Sequence, residues 1–203
     1  VPIEHPGIPI QLAAVRTVMC SVAGEVADGV RPPPVGTPSY IEGVMLPAVR
    51  RGAAKAGRKL DRFRVCMKPL VATARTKAEL EPKVRDARAR IAFYASTPGY
   101  VAAFDHLGLG EMARKAQVLS KAQRWEELPP LSSDAVLDQF AVIGTYDEIA
   151  KKLTDRFGKI VTNVEFSIAV KDAADKALLA EMARSIQSGD GAAARRAIMG
   201  QAA

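Results

Sequence analysis

Histidine, cysteine and aromatic residues are scarce in this chain of 203 residues, and each scarcity removes a class of chemistry. The only histidines are His5 and His106, and the only cysteines are Cys20 and Cys66. None of them has the spacing of a local metal motif, so no metal site is expected. Both cysteines fall inside an expected helix or strand, which reads as reduced, buried packing thiols of a cytoplasmic protein. One Trp, four Tyr and six Phe are present, and they do not interleave with basic residues as stacking platforms for nucleic acid do. No apolar run approaches the roughly eighteen residues that a membrane span needs, so no membrane partner is expected. The opening VPIEHPGIPI lacks a basic n-region, so no signal peptide is expected either. Val1 in place of Met gives the expectation that the start of the chain has been lost.

The rest of the composition is that of an ordinary globular protein: 48% apolar, 25% charged, with a mean hydropathy of +0.01. We read a single α/β domain over residues 1–203. The net charge of +7 invites an anionic partner. Its basic residues, however, are spread along helices. Arg50, Arg51, Lys55, Arg58 and Lys59 line the end of one helix, and Arg85, Arg88 and Arg90 alternate with Glu79, Glu81 and Asp86. Solvated faces are the reading, with no nucleic-acid partner.

Apolar spacing and turn residues predict alternating strands and helices. A strand over residues 8–13 leads into a helix over 17–26, and a short strand over 29–31 runs into Pro32, Pro33 and Pro34. Thr37 followed by Pro38 is an N-cap with proline at the first helical position. The helix it opens runs to about residue 55, and Pro47 is expected to kink or restart it. Residues 63–72 alternate: Phe63, Val65, Met67 and Val71 share one face, and Arg64, Cys66, Lys68 and Leu70 the other. Thr76 and Glu79 form a capping box. From there to Phe140 only helical segments are expected, a helical insertion over residues 76–140 that could cover a ligand mouth. A second capping box over residues 144–148, a helix to Phe157, a strand over 161–170 and a helix over 173–185 follow. Residues 189–203 read as a weakly ordered tail or a short terminal helix.

Four strands, each followed by a helix, are half of an eight-stranded barrel, which takes about 250 residues, or about 30 per βα unit. A parallel sheet needs both faces covered, and its edges invite pairing. Such a half requires a partner: an N-terminal half-barrel, a second copy, or rearranged helices. A compact four-stranded α/β domain is the alternative.

The ordered segments IPIQLAA, AGEVADGV, VMLPAVRRGAAKAGR, IAFYASTPGY, and VIGTYDEIAKKL followed by VTNVEFSI carry a resemblance to a known family. The chain resembles the luciferase-like superfamily of (β/α)8 TIM-barrel oxidoreductases, especially its deazaflavin branch, and matches about four βα units, strands five to eight. The resemblance implies coenzyme F-420 (a deazaflavin) or FMN bound at the carboxyl ends of the strands. It implies a small organic substrate, oxidised by hydride transfer or oxygenated. It places Ala13, Ala14, Val15 and Arg16, with Asp28, Gly29 and Val30, near the cofactor phosphate. Relatives often carry Gly-Pro where this chain has Arg16 and Thr17. Glycine admits close backbone approach to a phosphate; Arg16 would either supply a bidentate charge or lie on the surface. The family's catalytic residues belong to the other half-barrel, so no catalytic residue is assigned.

Candidate substrate contacts are Lys68, Tyr94 and Tyr100. Lys68 lies on the strand face that would point into a barrel, where it contacts a ligand, pairs with Glu165 or reaches out into solvent. Gln11 shares that face as a core amide. Tyr94 and Tyr100 flank Ser96, Thr97 and Pro98, and either line a mouth or pack between helices. Asp28 also suits a turn, and His106 a helix end. Three functions compete: part of a flavin or deazaflavin oxidoreductase, a non-catalytic half-barrel that self-associates or binds an anion, and a nucleic-acid module supported only by net charge.

Overall fold

The computed structural model describes residues 7–189 and 191–200. Its first strand, β1 (Gln11–Ala13), leads through a short turn into α1 (Thr17–Val26) and then β2 (Gly29–Arg31). After the three prolines, Thr37 caps α2 (Pro38–Tyr40), its hydroxyl accepting from the Tyr40 amide at 3.3 Å. A π-helical stretch, Ile41–Met45, joins α2 to α3 (Leu46–Lys55). Pro47 accounts for the break: it has no N–H for the Gly43 carbonyl and its ring crowds the preceding turn.

Strands β1, β2, β3 (Arg64–Met67) and β6 (Asn163–Val164) form one parallel sheet in the order β1-β2-β3-β6. The register sets Ala13 beside Arg31, Val30 beside Val65, and Met67 beside Val164. A second parallel pair, β4 (Leu70–Ala74) with β5 (Ala141–Thr145), runs in register from Leu70 and Ala141 to Ala74 and Thr145.

Three strand expectations are corrected here. The single strand over 63–72 is two strands, broken at Lys68 and Pro69, where proline cannot donate to the ladder. Strand β5 was not foreseen; its five residues follow a helix directly and were absorbed into the approach to the next one. The strand over 161–170 pairs only at Asn163–Val164, and the Glu165 amide closes the ladder on the Met67 carbonyl at 2.7 Å. With no second neighbour beyond β6 among the described residues, Phe166 and Ile168 still turn towards the core but build no sheet. Four strand–helix units thus become, among the described residues, six strands in two parallel sheets. The shared architecture is α/β with a parallel sheet.

Helices α1 and α3 cross with their backbones almost touching. A Cβ on Gly24 would lie 2.0 Å from the Val49 carbonyl oxygen, and one on Gly52 would lie 1.9 Å from that of Ser21. Cys20, Ala23, Val49 and Ala53 close the seam around them.

The segment between β4 and β5 is helical: α4 (Lys77–Ser96), α5 (Val101–Asp105), α6 (Gly110–Lys121) and α7 (Asp134–Phe140), with one 3-10 turn between α4 and α5, a plain turn between α5 and α6, and two 3-10 turns between α6 and α7. Both halves of the Thr76–Glu79 capping box form, each at 3.3 Å. In the second box only the Thr145 amide donating to Glu148 is present, at 3.1 Å, and α8 (Ile149–Phe157) starts just after it. Phe104 of α5 and Phe140 of α7 pack with ring centroids 4.8 Å apart and hold these two helices of the segment together. The last two elements of the described residues are α9 (Ala173–Gln187) and α10 (Ala192–Met199). Arg75 pairs with the buried Asp175 at the start of α9, and Arg50 donates to the Ala197 carbonyl of α10 at 2.8 Å. Among the described residues no helix is long and apolar enough to cross a membrane.

Candidate functional site

Parallel strands leave their carboxyl ends and the helix N-termini that follow them on one rim, and ligands collect there. On this rim lies a cleft of about 720 Å³, within the size range of small-molecule sites. One wall is the turn after β1: Ala13, Ala14, Val15 and Arg16. Arg31 and the three prolines after β2 make the floor, with Lys68 from the end of β3. Met19 of α1 and Pro98, Gly99 and Tyr100 of the insertion complete it.

Local chemistry holds the β1 turn in place. The buried Tyr40 hydroxyl donates to the Val15 carbonyl at 3.0 Å, beside the Cys20 thiol. Arg16 is the N-cap of α1 in extended conformation and gives the helix no side-chain cap. The first amides of α1 are therefore left for a ligand or water. The Arg16 guanidinium instead reaches across the cleft and donates to the Pro98 carbonyl at 3.1 Å, tying this turn to the insertion.

The face of the sheet beside the cleft is polar. Glu165 ends two ion pairs, with Lys68 at 2.7 Å and with Arg31. The second Arg31 nitrogen donates to the Gln11 side-chain oxygen at 3.3 Å. The hydrogen bond from Lys68, and then that from Arg31, holds the Glu165 carboxyl below the usual carboxylate range. Cys66 lies on this face beside Asn163. Burial pushes its thiol up, against an opposing pull from the Arg31 charge. Burial likewise pushes the Cys20 thiol up to about 11, so neither cysteine has the character of a thiolate nucleophile.

Six of the ten residues singled out in the sequence meet at this cleft: Ala13, Ala14, Val15, Arg16, Lys68 and Tyr100. Tyr94 stands behind Tyr100, ring edge to ring face with centroids 5.2 Å apart, and does not line it. Asp28, Gly29 and Val30 are also away from it, at the opposite end or in the middle of β2. The Asp28 carboxylate accepts from the Ile10 amide at 2.8 Å, and Gly29 pairs with Gln11 and Arg64. Val30 is fully buried. Strand β2 reaches the rim only at Arg31, so the loop that approaches the cleft is Arg31 with the prolines. The resemblance points to the loop after this strand but sets it on Asp28, Gly29 and Val30; the pairing of Ala13 with Arg31, visible only in the fold, carries it on to Arg31 and the prolines. Of the alternatives for Lys68, the pair with Glu165 forms. His106 packs against the Tyr40 ring with centroids 5.6 Å apart, away from the cleft. Among the described residues no cluster of three or more His, Cys, Asp and Glu could hold a metal ion.

A parallel α/β sheet with a cationic, small-residue turn at its rim defines an α/β protein with a cleft of small-molecule size at its strand ends. The particular family is shown by comparison. Residues 1–163 match the model of the luciferase-like monooxygenases, and the chain belongs to that family. Uncharacterized proteins of Mycobacterium tuberculosis and Mycobacterium bovis are 37% identical over 163 residues, covering 80% of this chain and 48% of their own length. The chain thus spans about half the length of these curated relatives. In fold it is similar to the coenzyme F-420-dependent tetrahydromethanopterin reductase of Methanopyrus kandleri, with a TM-score of 0.62 at 21% identity. That likeness covers 86% of this chain and 49% of the reductase.

The cleft residues fit the cofactor class this family implies. Ala13 and Ala14 keep the turn free of bulk beside the open α1 amides, and Arg16, Arg31 and Lys68 supply positive charge. Met19, Tyr100 and the prolines offer apolar surface for a planar ring.

Proposed function

We propose that this chain is the C-terminal half-barrel of a flavin- or deazaflavin-dependent oxidoreductase acting on a small organic substrate. The observation that carries this reading is the cleft where the Ala13–Arg16 turn, the Arg31 loop and Tyr100 meet on the rim of the parallel sheet. When bound, coenzyme F-420 or FMN supplies hydride transfer, or oxygenation with dioxygen. The α1 amides and Arg16 bind the anionic end of the cofactor. Pro32, Pro33 and Pro34 give a stiff apolar floor, and Tyr100 with Pro98 closes the mouth and limits water. No proton-transfer residue is assigned in this chain, so acid–base groups come from the segment that completes the barrel. That segment is an N-terminal half-barrel or a second copy. The two reduced thiols suit a cytoplasmic setting.

Titration with coenzyme F-420 and with FMN, followed by fluorescence, tests this reading. Saturable binding that weakens about tenfold or more in Arg16→Glu is expected, since a charge-assisted contact becomes a repulsion. Absence of binding by both cofactors to a full-length protein containing this chain would sink it. One observation favours a second reading, a non-catalytic half-barrel that binds an anion: Arg16 is already engaged by the Pro98 carbonyl. Cofactor-independent anion binding with no redox turnover would support that reading.

A further inference from the structure

Arg16, Arg31 and Lys68 line the cleft, and among the described residues no carboxylate lines it with them. Arg31 and Lys68 come from neighbouring strands and converge on one acceptor outside the lining. Lys68 meets Oε1 of Glu165 at 2.7 Å, and Arg31 meets Oε2. A guanidinium and an ammonium sharing the two oxygens of one carboxylate have the arrangement of an oxyanion site. Gln11 holds the other Arg31 nitrogen, so the guanidinium stays in place if Glu165 leaves. The Glu165 carboxylate has no further partner among the described residues, although its backbone amide is held by the Met67 carbonyl. Glu165 follows the last paired residue of β6, and the side chains of Arg31, Lys68 and Glu165 are 39%, 61% and 49% exposed. Ion pairs this open to water are weak and exchange with solutes.

We propose that Arg31 and Lys68 are an oxyanion-binding pair that Glu165 occupies in the free protein as an internal competitor. An anionic group of the ligand, phosphate or carboxylate, enters by displacing the Glu165 side chain. The binding energy of the anion is then net of two surface pairs, and affinity for small anions in the unaltered protein is low. Removing the competitor while keeping its shape raises that affinity; removing either cation lowers it. The inference rests on the proposed function only for the identity of the molecule that carries the anion.

Inorganic phosphate at low ionic strength is the first probe, with binding read by calorimetry. Glu165→Gln is expected to bind phosphate about tenfold more tightly than the parent, the scale of two exposed pairs. Lys68→Ala and Arg31→Gln are expected to lose the site. A Glu165→Gln variant no tighter than the parent, or cation variants equal to it, overturns the proposal. Should Glu165→Gln fold poorly, carboxyl NMR of the unaltered protein decides. Phosphate must move the Glu165 resonance and raise its titration midpoint, and an unmoved resonance refutes displacement. FMN against riboflavin separates the two sources of the anion. If the cofactor phosphate is the guest, the advantage of FMN shrinks in Lys68→Ala, with Arg16 and the α1 amides still holding part of it, and phosphate competes with FMN. If a substrate group is the guest, phosphate and FMN bind together. Phosphate binding without any FMN or coenzyme F-420 binding, in a full-length protein containing this chain, would sink the oxidoreductase reading and leave this one standing.

Discussion

Replacing Gly24 by alanine puts a methyl group into the α1–α3 seam, and the structure sets how much room it finds. The new Cβ would sit 2.0 Å from the Val49 carbonyl oxygen and 2.9 Å from the Ala53 amide nitrogen, both backbone atoms. Ordinary contact starts at 3.4 Å, so the helices must part by well over an ångström. Two effects oppose each other. Alanine is a better helix former than glycine by about 1 kcal/mol. Overpacking costs about 1–3 kcal/mol when a flexible side chain yields, and here only backbone can yield, which sets the cost at or above the top of that range. The steric term wins, and a net loss of about 2–3 kcal/mol lowers the melting temperature by about 5–10 °C at this chain length. Thermal unfolding by circular dichroism measures it. Gly99→Ala is the control: a Cβ there meets nothing within 4 Å, and its effect should stay within about 0.5 kcal/mol. A Gly24→Ala protein that melts at or above the parent temperature would refute the close crossing.

Other outcomes follow from the same geometry. Tyr40→Phe removes the donor to the Val15 carbonyl; a loss of about 1 kcal/mol in urea unfolding is expected, with weaker FMN binding because the β1 turn loosens. With its thiol pushed up to about 11 and no exposed surface, Cys20 should resist iodoacetamide at pH 8 until denaturant is added, as mass spectrometry of the labelled peptide would show. Asp175 is held below the usual carboxylate range, first by the Lys171 amide and also by Arg75. Its contribution is complete above the unfolded-state value, about 3.9, and is lost as pH falls through the lower folded value. Protection of α9 amides from hydrogen exchange should therefore collapse in acid below about pH 4, and in Asp175→Asn already at neutral pH.

Local signals were the legible part of this fold. Thr37 with Pro38, Pro47, and the Thr76–Glu79 box each act through backbone groups within a turn or two, so their residues alone locate helix starts and the π-helical break. What escaped depends on partners distant in sequence. Ala141–Thr145 is a strand because β4 lies beside it, and residues 165–170 fail as one because no strand lies beyond β6 among the described residues. The cleft divides in the same way. The Ala13–Arg16 turn was visible as a strand end before a helix, whereas Arg31 and the prolines took their place only from the register of β2 against β1. Lys68 reads as part of one continuous strand but lies at the break between β3 and β4, and its sharing of Glu165 with Arg31 joins three strand ends and has no local trace.

The break at Lys68 and Pro69 also has an evolutionary consequence. Because β4 leaves the four-stranded sheet to pair with β5, the helices α4 to α7 hang from a two-strand bracket of their own. Their length and sequence can drift without altering the ladder that carries Arg31 and Lys68. Only Pro98, Gly99 and Tyr100 reach back to the cleft. The segment is thus an exchangeable cassette, and selection can retool the mouth of the cleft there while its charged floor stays the same.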